Sequence, residues 1–161
     1  MNITFEWLRV EELPQIKPLW ECLNEIHLHD SLYFKEHFQN NTFEKRFHDI
    51  KEITPENLHL EVIKDTGQII GYCVSSVQNG TGEIESLFIE EKYRKCGFGK
   101  RLVQNALEWF TAKNCQKFIV GVAGGHEKVF GFYQKMGFFP RTTVLELKNK
   151  PIDKVQSHDH I

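Results

Sequence analysis

Three apolar-rich runs separated by two tight-turn signals dominate the middle of the chain and leave few options for its fold. Leu58, Leu60 and Val62 alternate with His59 and Glu61 up to Asp65-Thr66-Gly67, a second run spans Gln68 to Val77, and Asn79-Gly80-Thr81-Gly82 leads into a third from Glu83 to Ile89. Alternation with period two reads as strand, and turns of this composition join antiparallel neighbours. A three-stranded meander is predicted. From Gly97 the period changes: Phe98, Leu102, Val103, Ala106, Leu107 and Phe110 form the stripe of an amphipathic helix reaching about Lys113. Phe118 to Val122 then reads as a buried strand. Val129, Tyr133 and Met136 mark a last helix with Gly137 at its left-handed cap, and Arg141 to Leu147 closes as a strand.

Ahead of the meander, Ile3, Phe5 and Trp7 alternate with Thr4 and Glu6 as an opening strand, and Ile16, Leu19, Trp20, Leu23 and Ile26 follow at helical spacing. The helix is expected to break at His27 to Asp30. Ser31 suits the cap of a second helix bearing Phe34 and Phe38, and Thr42 that of another turn set bearing Phe43, Phe47 and Ile50. The predicted order, β-α-α-β-β-β-α-β-α-β, describes an α/β domain in which helices cover a mixed sheet and the later crossovers are right-handed. No linker or repeat interrupts it, so residues 1–150 are read as one domain and 151–161 as a polar tail without a role.

A net charge of −2 gives no general attraction to nucleic acid or anionic lipid, and neither partner is expected. Cys22, Cys73, Cys96 and Cys115 are too dispersed for a zinc site, and no metal is expected; free thiols suit the cytoplasm. The N-terminus has no secretory pattern, and no run is long enough to span a membrane.

Chemistry enters between the third strand of the meander and the following helix. Arg94-Lys95-Cys96-Gly97-Phe98-Gly99-Lys100 places a glycine-bearing basic loop at a helix start, where unpaired N–H groups and a partial positive charge attract anions. Gly97 and Gly99 let phosphate oxygens approach the main chain, and Lys95, Lys100 and Arg101 add charge. A Walker A loop is excluded because Lys100 is followed by Arg101 rather than Ser or Thr. Cys96 has no readable His partner and is taken as loop filling rather than a nucleophile.

The R-x-x-G-x-G pattern of Arg94 to Gly99, between a strand and a helix, resembles the hallmark of the GNAT superfamily of N-acetyltransferases. A second block agrees: Val122-Ala123-Gly124-Gly125-His126-Glu127 to Phe132-Tyr133-Gln134-Lys135-Met136-Gly137-Phe138 is similar to the family's strand followed by N-E-x-x-x-x-F-Y-x-K-x-G-F. The resemblance covers Gly82 to Phe139; the first eighty residues match only in their order of elements. It implies the GNAT acyl-CoA N-acyltransferase fold and acetyl-CoA as cosubstrate. The amides from Lys95 to Lys100 would hold the pyrophosphate, and the backbone of Leu87, Phe88 and Ile89 would pair with the pantetheine arm. His126, where the family usually has Asn, would bond the cofactor's amides, and Tyr133 would protonate the departing thiolate.

An amine attacks only when neutral, and a lysine-like ammonium has a pKa of about 10.4, so a base is required. Glu85 is the candidate, acting through burial or a water relay, with Glu83 as the fallback. His27, His29 and Asp30 sit where relatives open the acceptor cleft. The reading is direct transfer in a ternary complex onto a primary amine of a small molecule or peptide; the alternative is a catalytically silent acyl-CoA sensor. The resemblance also allows a homodimer.

Overall fold

Residues 1–149 are described by the computed structural model. The meander forms as the turn signals require: Thr66 and Gly67 (φ 50° and 84°) and Asn79 and Gly80 (51° and 75°) occupy left-handed backbone, the two-residue geometry that joins twisted antiparallel strands. Strands β1 (Ile3–Leu8), β2 (Leu58–Asp65), β3 (Gln68–Gln78), β4 (Thr81–Ile89) and β5 (Lys117–Val120) form one sheet in the order β1-β2-β3-β4-β5. The first three junctions are antiparallel and the last is parallel.

Helices cover both faces. On one side α1 (Lys17–Asp30), α2 (Lys35–Asn40) and α3 (Phe43–Arg46) follow a 3-10 segment, Val10–Ile16. Trp20, Phe43 and Phe47 there pack on Leu60, Val62, Tyr72 and Phe88. Of the two expected caps, Thr42 is in place, its Oγ1 accepting from Lys45 N–H at 3.2 Å, whereas Ser31 ends α1 instead: its Oγ accepts from Phe34 N–H at 3.0 Å, and α2 starts after Phe34 without a side-chain cap. On the other side Leu102, Val103, Ala106 and Phe110 of α4 (Phe98–Ala112) pack on Ile63, Ile70, Cys73 and Ile84. Phe110 presses so closely on β4 that a Cβ at Gly82 would lie 2.4 Å from its ring. The short α5 (Phe130–Gln134) brings Phe132 and Tyr133 to the same core.

Three further expectations need correction. The first helix does not break at His27 but runs to Asp30, because its carbonyls stay bonded as far as His27 O, which accepts from Ser31 N–H at 2.9 Å. The strand expected over Phe118 to Val122 ends at Val120, where its ladder with β4 stops. Arg141 to Leu147 forms no strand: its β-forming residues find no ladder neighbour among the described residues, and Val144 and Leu145 stand 87% and 90% exposed. Strand propensity is realised only where a pleated surface is there to receive it. The expected tail at 151–161 lies outside the described residues. No described helix is long and apolar enough to cross a membrane.

The polar residues that alternate along β2 are buried rather than solvated. Glu61 accepts from Trp7 Nε1 at 3.0 Å and Asn105 Nδ2 at 2.8 Å, while His59 lies between the Trp7 and Trp109 rings, 4.5 and 5.2 Å away. Neither ring nitrogen of His59 has a partner among the described residues, and burial pulls its pKa down to about 4.

Candidate active site

The β3–β4 ladder slips by one residue where it matters. Ser86 pairs with Val74 and Ile84 with Ser75, so Glu85 is the extra residue of a β-bulge. Bulges re-aim side chains and release main-chain groups from a ladder. The released Glu85 carbonyl accepts from Arg46 of α3 at 2.6 Å. Its carboxylate accepts from Ser76 Oγ at 2.6 Å and meets the Arg46 guanidinium at 3.4 Å.

One strand further, the β4–β5 ladder stops at the pair Ile84 and Val120, and the two strands part. Among the described residues the remainder of β4 therefore lacks a neighbour on that side. Glu90 N–H bonds Ile70 O at 2.9 Å toward β3, so alternation turns the main chain of Ile89 and Leu87 the other way, into the wedge. Ile89 O accepts there from Arg94 Nε at 2.8 Å, and Leu87 keeps both its N–H and C=O unclaimed by either strand. A linear amide such as pantetheine can add to such an edge as a short strand would, each hydrogen bond contributing about 1 kcal/mol.

The loop beyond β4 shapes the wide end of the wedge. Lys95 (φ 62°) and Gly97 (φ 83°) are both left-handed, and this alternation curls successive N–H groups toward one point. Gly97 is the N-cap of α4 with no side chain capping the first turn, so the amides of Phe98, Gly99 and Lys100 stay open. Arg94 lies over the Phe88 ring at 5.3 Å.

Loop, edge strand and α5 enclose a cleft of about 880 Å³. Of the residues singled out in the sequence, Glu85, Leu87, Phe88, Ile89, Arg94, Lys95, Gly97, Phe98, Gly99, Lys100, His126 and Tyr133 all line it. Cys96 does not: it sits on the outer side of the loop, beside Ile3, Phe5 and Arg101, with its thiol toward Arg94 O at 3.6 Å. Glu83, the fallback base, is absent from the lining, and burial together with the neighbouring Glu85 raises its carboxyl above the usual range. Tyr133 has no hydrogen-bond partner among the described residues, and burial pushes its phenol well above the ordinary tyrosine range, so it stays a protonated donor.

The far end of the cleft is made by side chains that carry no sequence motif. Trp20, Asn24 and His27 of α1, Phe38 of α2 and Arg46 of α3 face Glu85 and His126 across it. His126 Nδ1 lies 3.3 Å from Asp30 Oδ2, and its ring meets that of His27 edge-on at 5.1 Å. Burial and the neighbouring His126 lower His27 to about 4. Hydrogen bonds from His29 and His126 hold the Asp30 carboxyl down at about 2. Arg46, Ser76 and the Asp30–His126 contact were not recognised in the sequence, since their partners lie 39, 9 and 96 residues away.

A model of the acetyltransferase (GNAT) family matches residues 20–138. Glucosamine 6-phosphate N-acetyltransferase of Trypanosoma brucei brucei is 32% identical over 80 residues, covering 45% of this chain and 52% of that protein; the match thus spans about half its length. Peptidyl-lysine N-acetyltransferase YjaB of Escherichia coli (strain K12) is 26% identical over 139 residues, 86% of this chain and 83% of the relative. Among solved structures, PaiA N-acetyltransferase from Thermoplasma acidophilum in complex with coenzyme A superposes with a TM-score of 0.71 at 19% identity, covering 89% of this chain and 94% of that one. At that identity the likeness speaks for the fold. Motif, wedge and family match coincide, and the chain belongs to the acetyltransferase (GNAT) family.

Proposed function

We propose that the protein transfers the acetyl group of acetyl-CoA directly to a primary amine bound in the same cleft. The observation that carries this reading is the continuity of the cleft, which joins the open amides at the start of α4, the unpaired edge of β4, the Tyr133 phenol and Glu85. In it the pyrophosphate rests on the amides from Lys95 to Lys100 and the pantetheine arm runs along Leu87 to Ile89. This leads the thioester toward the far end, where an amine can approach it. A strand amide at the carbonyl oxygen stabilises the tetrahedral oxyanion, a contribution of about 3 kcal/mol for one well-placed donor.

Tyr133 supplies the proton for the leaving thiolate. Glu85, fixed by Arg46 and Ser76, places a negative charge where an ammonium arrives. The acceptor classes named for the relatives, an amino sugar phosphate and a protein lysine, are the first to test. Calorimetry should detect coenzyme A binding, and thiol release should rise when glucosamine 6-phosphate, polyamines, aminoglycosides or lysine peptides are added. No affinity for either coenzyme A or acetyl-CoA removes the assignment. Tight acetyl-CoA binding with no acceptor-stimulated thiol release turns the protein into a silent acyl-CoA sensor.

A further inference from the structure

At the acceptor end of the cleft the β5–α5 loop docks closely on the end of α1. His126 follows Gly125, whose φ of 92° and approach to α1 leave no room for a side chain: a Cβ there would lie 2.1 Å from Asp30 O. That docking brings the β5–α5 loop against the end of α1 and sets His126 Nδ1 3.3 Å from Asp30 Oδ2, with both side chains only 14% and 15% exposed. Asp30 is itself fixed, with His29 Nδ1 3.1 Å from its other oxygen, Oδ1, and Lys128 Nζ 3.5 Å from Oδ2.

A carboxylate on Nδ1 decides the tautomer. Nδ1 carries the hydrogen and donates it, which leaves the lone pair on Nε2. Nε2 has no partner among the described residues, and His126 lines the cleft. The ring next to it is His27; the other charged or titrating groups around the pair are His29 from α1, Glu127 and Lys128 from its own turn, and Arg46 from α3. No group of three or more metal-binding side chains is found among the described residues, so the cluster is not a metal site there. Glu85, by contrast, already has donors on both carboxylate oxygens.

We infer that His126, oriented by Asp30, is the group that accepts the proton of the incoming ammonium, while Glu85 anchors that ammonium. The inference rests on the acetyl-transfer reading above. One ammonium proton passes to Nε2. The nitrogen lone pair then forms the C–N bond at the thioester carbon, and the nitrogen gives up a second proton to solvent. The C–S bond breaks as Tyr133 delivers its proton to sulfur; Tyr133 then regains one from solvent, and His126 Nε2 releases to solvent the proton it took up. Asn, which the family pattern has at this position, donates and accepts but does not take up a proton; this chain differs there in chemistry as well as in shape.

Nitrogen-15 NMR of the whole protein tests the arrangement without any acceptor. Wild type should hold His126 in the Nδ1–H tautomer, and Asp30→Asn should abolish that preference; an Nε2–H tautomer in wild type, or no change in D30N, overturns the inference. Turnover then tests the role, with putrescine as a protonated acceptor and hydroxylamine as one already neutral at pH 7.5. His126→Asn is assayed at saturating acetyl-CoA, so that any change in cofactor binding is separated from turnover. It should lower thiol release with putrescine at least ten times more than with hydroxylamine, and remove the acid limb of the putrescine pH profile. Equal losses for the two amines, or an acid limb lost in Glu85→Gln instead, overturn it, whereas loss of coenzyme A binding in wild type sinks the parent reading alone.

Discussion

The two ends of the cleft are built from different materials. At the cofactor end the recognising groups are main chain: open amides at the start of α4, a left-handed turn at Lys95 and Gly97, and a strand edge from Leu87 to Ile89. At the acceptor end they are side chains from α1, α2, α3, the β4 bulge and the β5–α5 loop. A main-chain site constrains the sequence to glycine, helix and strand patterns at fixed spacing. A side-chain site constrains only individual positions, and these are free to change with the acceptor. Variants at the two ends should therefore move different constants.

The largest effect belongs to the point where the ends meet. Replacing Tyr133 by Phe removes the proton donor while keeping the ring that packs on Phe132 and Phe138 at 4.9 and 5.9 Å. General acid catalysis typically contributes 10²- to 10⁴-fold; with a thiolate leaving group the loss should fall at the lower end, about 10² in kcat. Coenzyme A affinity by calorimetry should hardly change. A variant with full turnover would assign Tyr133 to the core alone.

At the cofactor end, Gly97→Ala places a side chain at φ 83°, where L-residues are disfavoured by about 1–2 kcal/mol. The variant should bind coenzyme A roughly tenfold more weakly, with the amine KM at saturating acetyl-CoA unaffected. At the acceptor end, Arg46→Ala frees the Glu85 carbonyl and carboxylate, which it holds at 2.6 and 3.4 Å. The amine KM should rise about fivefold and coenzyme A affinity should stay put. If either variant moves the other end's constant, the division between main-chain and side-chain recognition fails.

The same division explains what was legible in the sequence. The meander, the amphipathic stripe of α4 and the cradle from Arg94 to Lys100 were readable because each is a local pattern repeated at a fixed period. The bulge at Glu85 was not, because it is a relation between two strands and neither shows it alone. Nor was the Asp30–His126 contact, whose partners are separated by most of the chain. The strand expected from Arg141 to Leu147 illustrates the converse: residues suited to a sheet do not form one without a neighbour, and no local pattern reports whether that neighbour exists. His59 was read as the polar half of an alternating strand, yet Trp7 and Trp109, both remote in sequence, bury it.

That histidine offers the smallest and most selective test, because it pairs with His27 in electrostatics but not in location. Burial lowers both to about 4, below the ordinary histidine value of 6.5, so as pH falls the unfolded chain takes up a proton before the folded one does. Stability from each is complete above pH 6.5 and is lost as pH falls from there toward 4. Each contributes a slope of at most about 1.4 kcal/mol per pH unit in that window. His59→Phe keeps a ring between Trp7 and Trp109 and deletes the two unpartnered nitrogens. It should flatten the slope measured by urea unfolding across pH 4–6.5, and His27→Phe should flatten it by a similar amount. The two differ in what a ligand does: His27 lines the cleft and His59 does not, so coenzyme A should alter the slope that remains in the His59 variant and leave that of the His27 variant as it was. A ligand effect on the slope of both would mean that the cleft and the β2–α4 packing are one cooperative unit, and the separation of ends would then hold for recognition but not for stability.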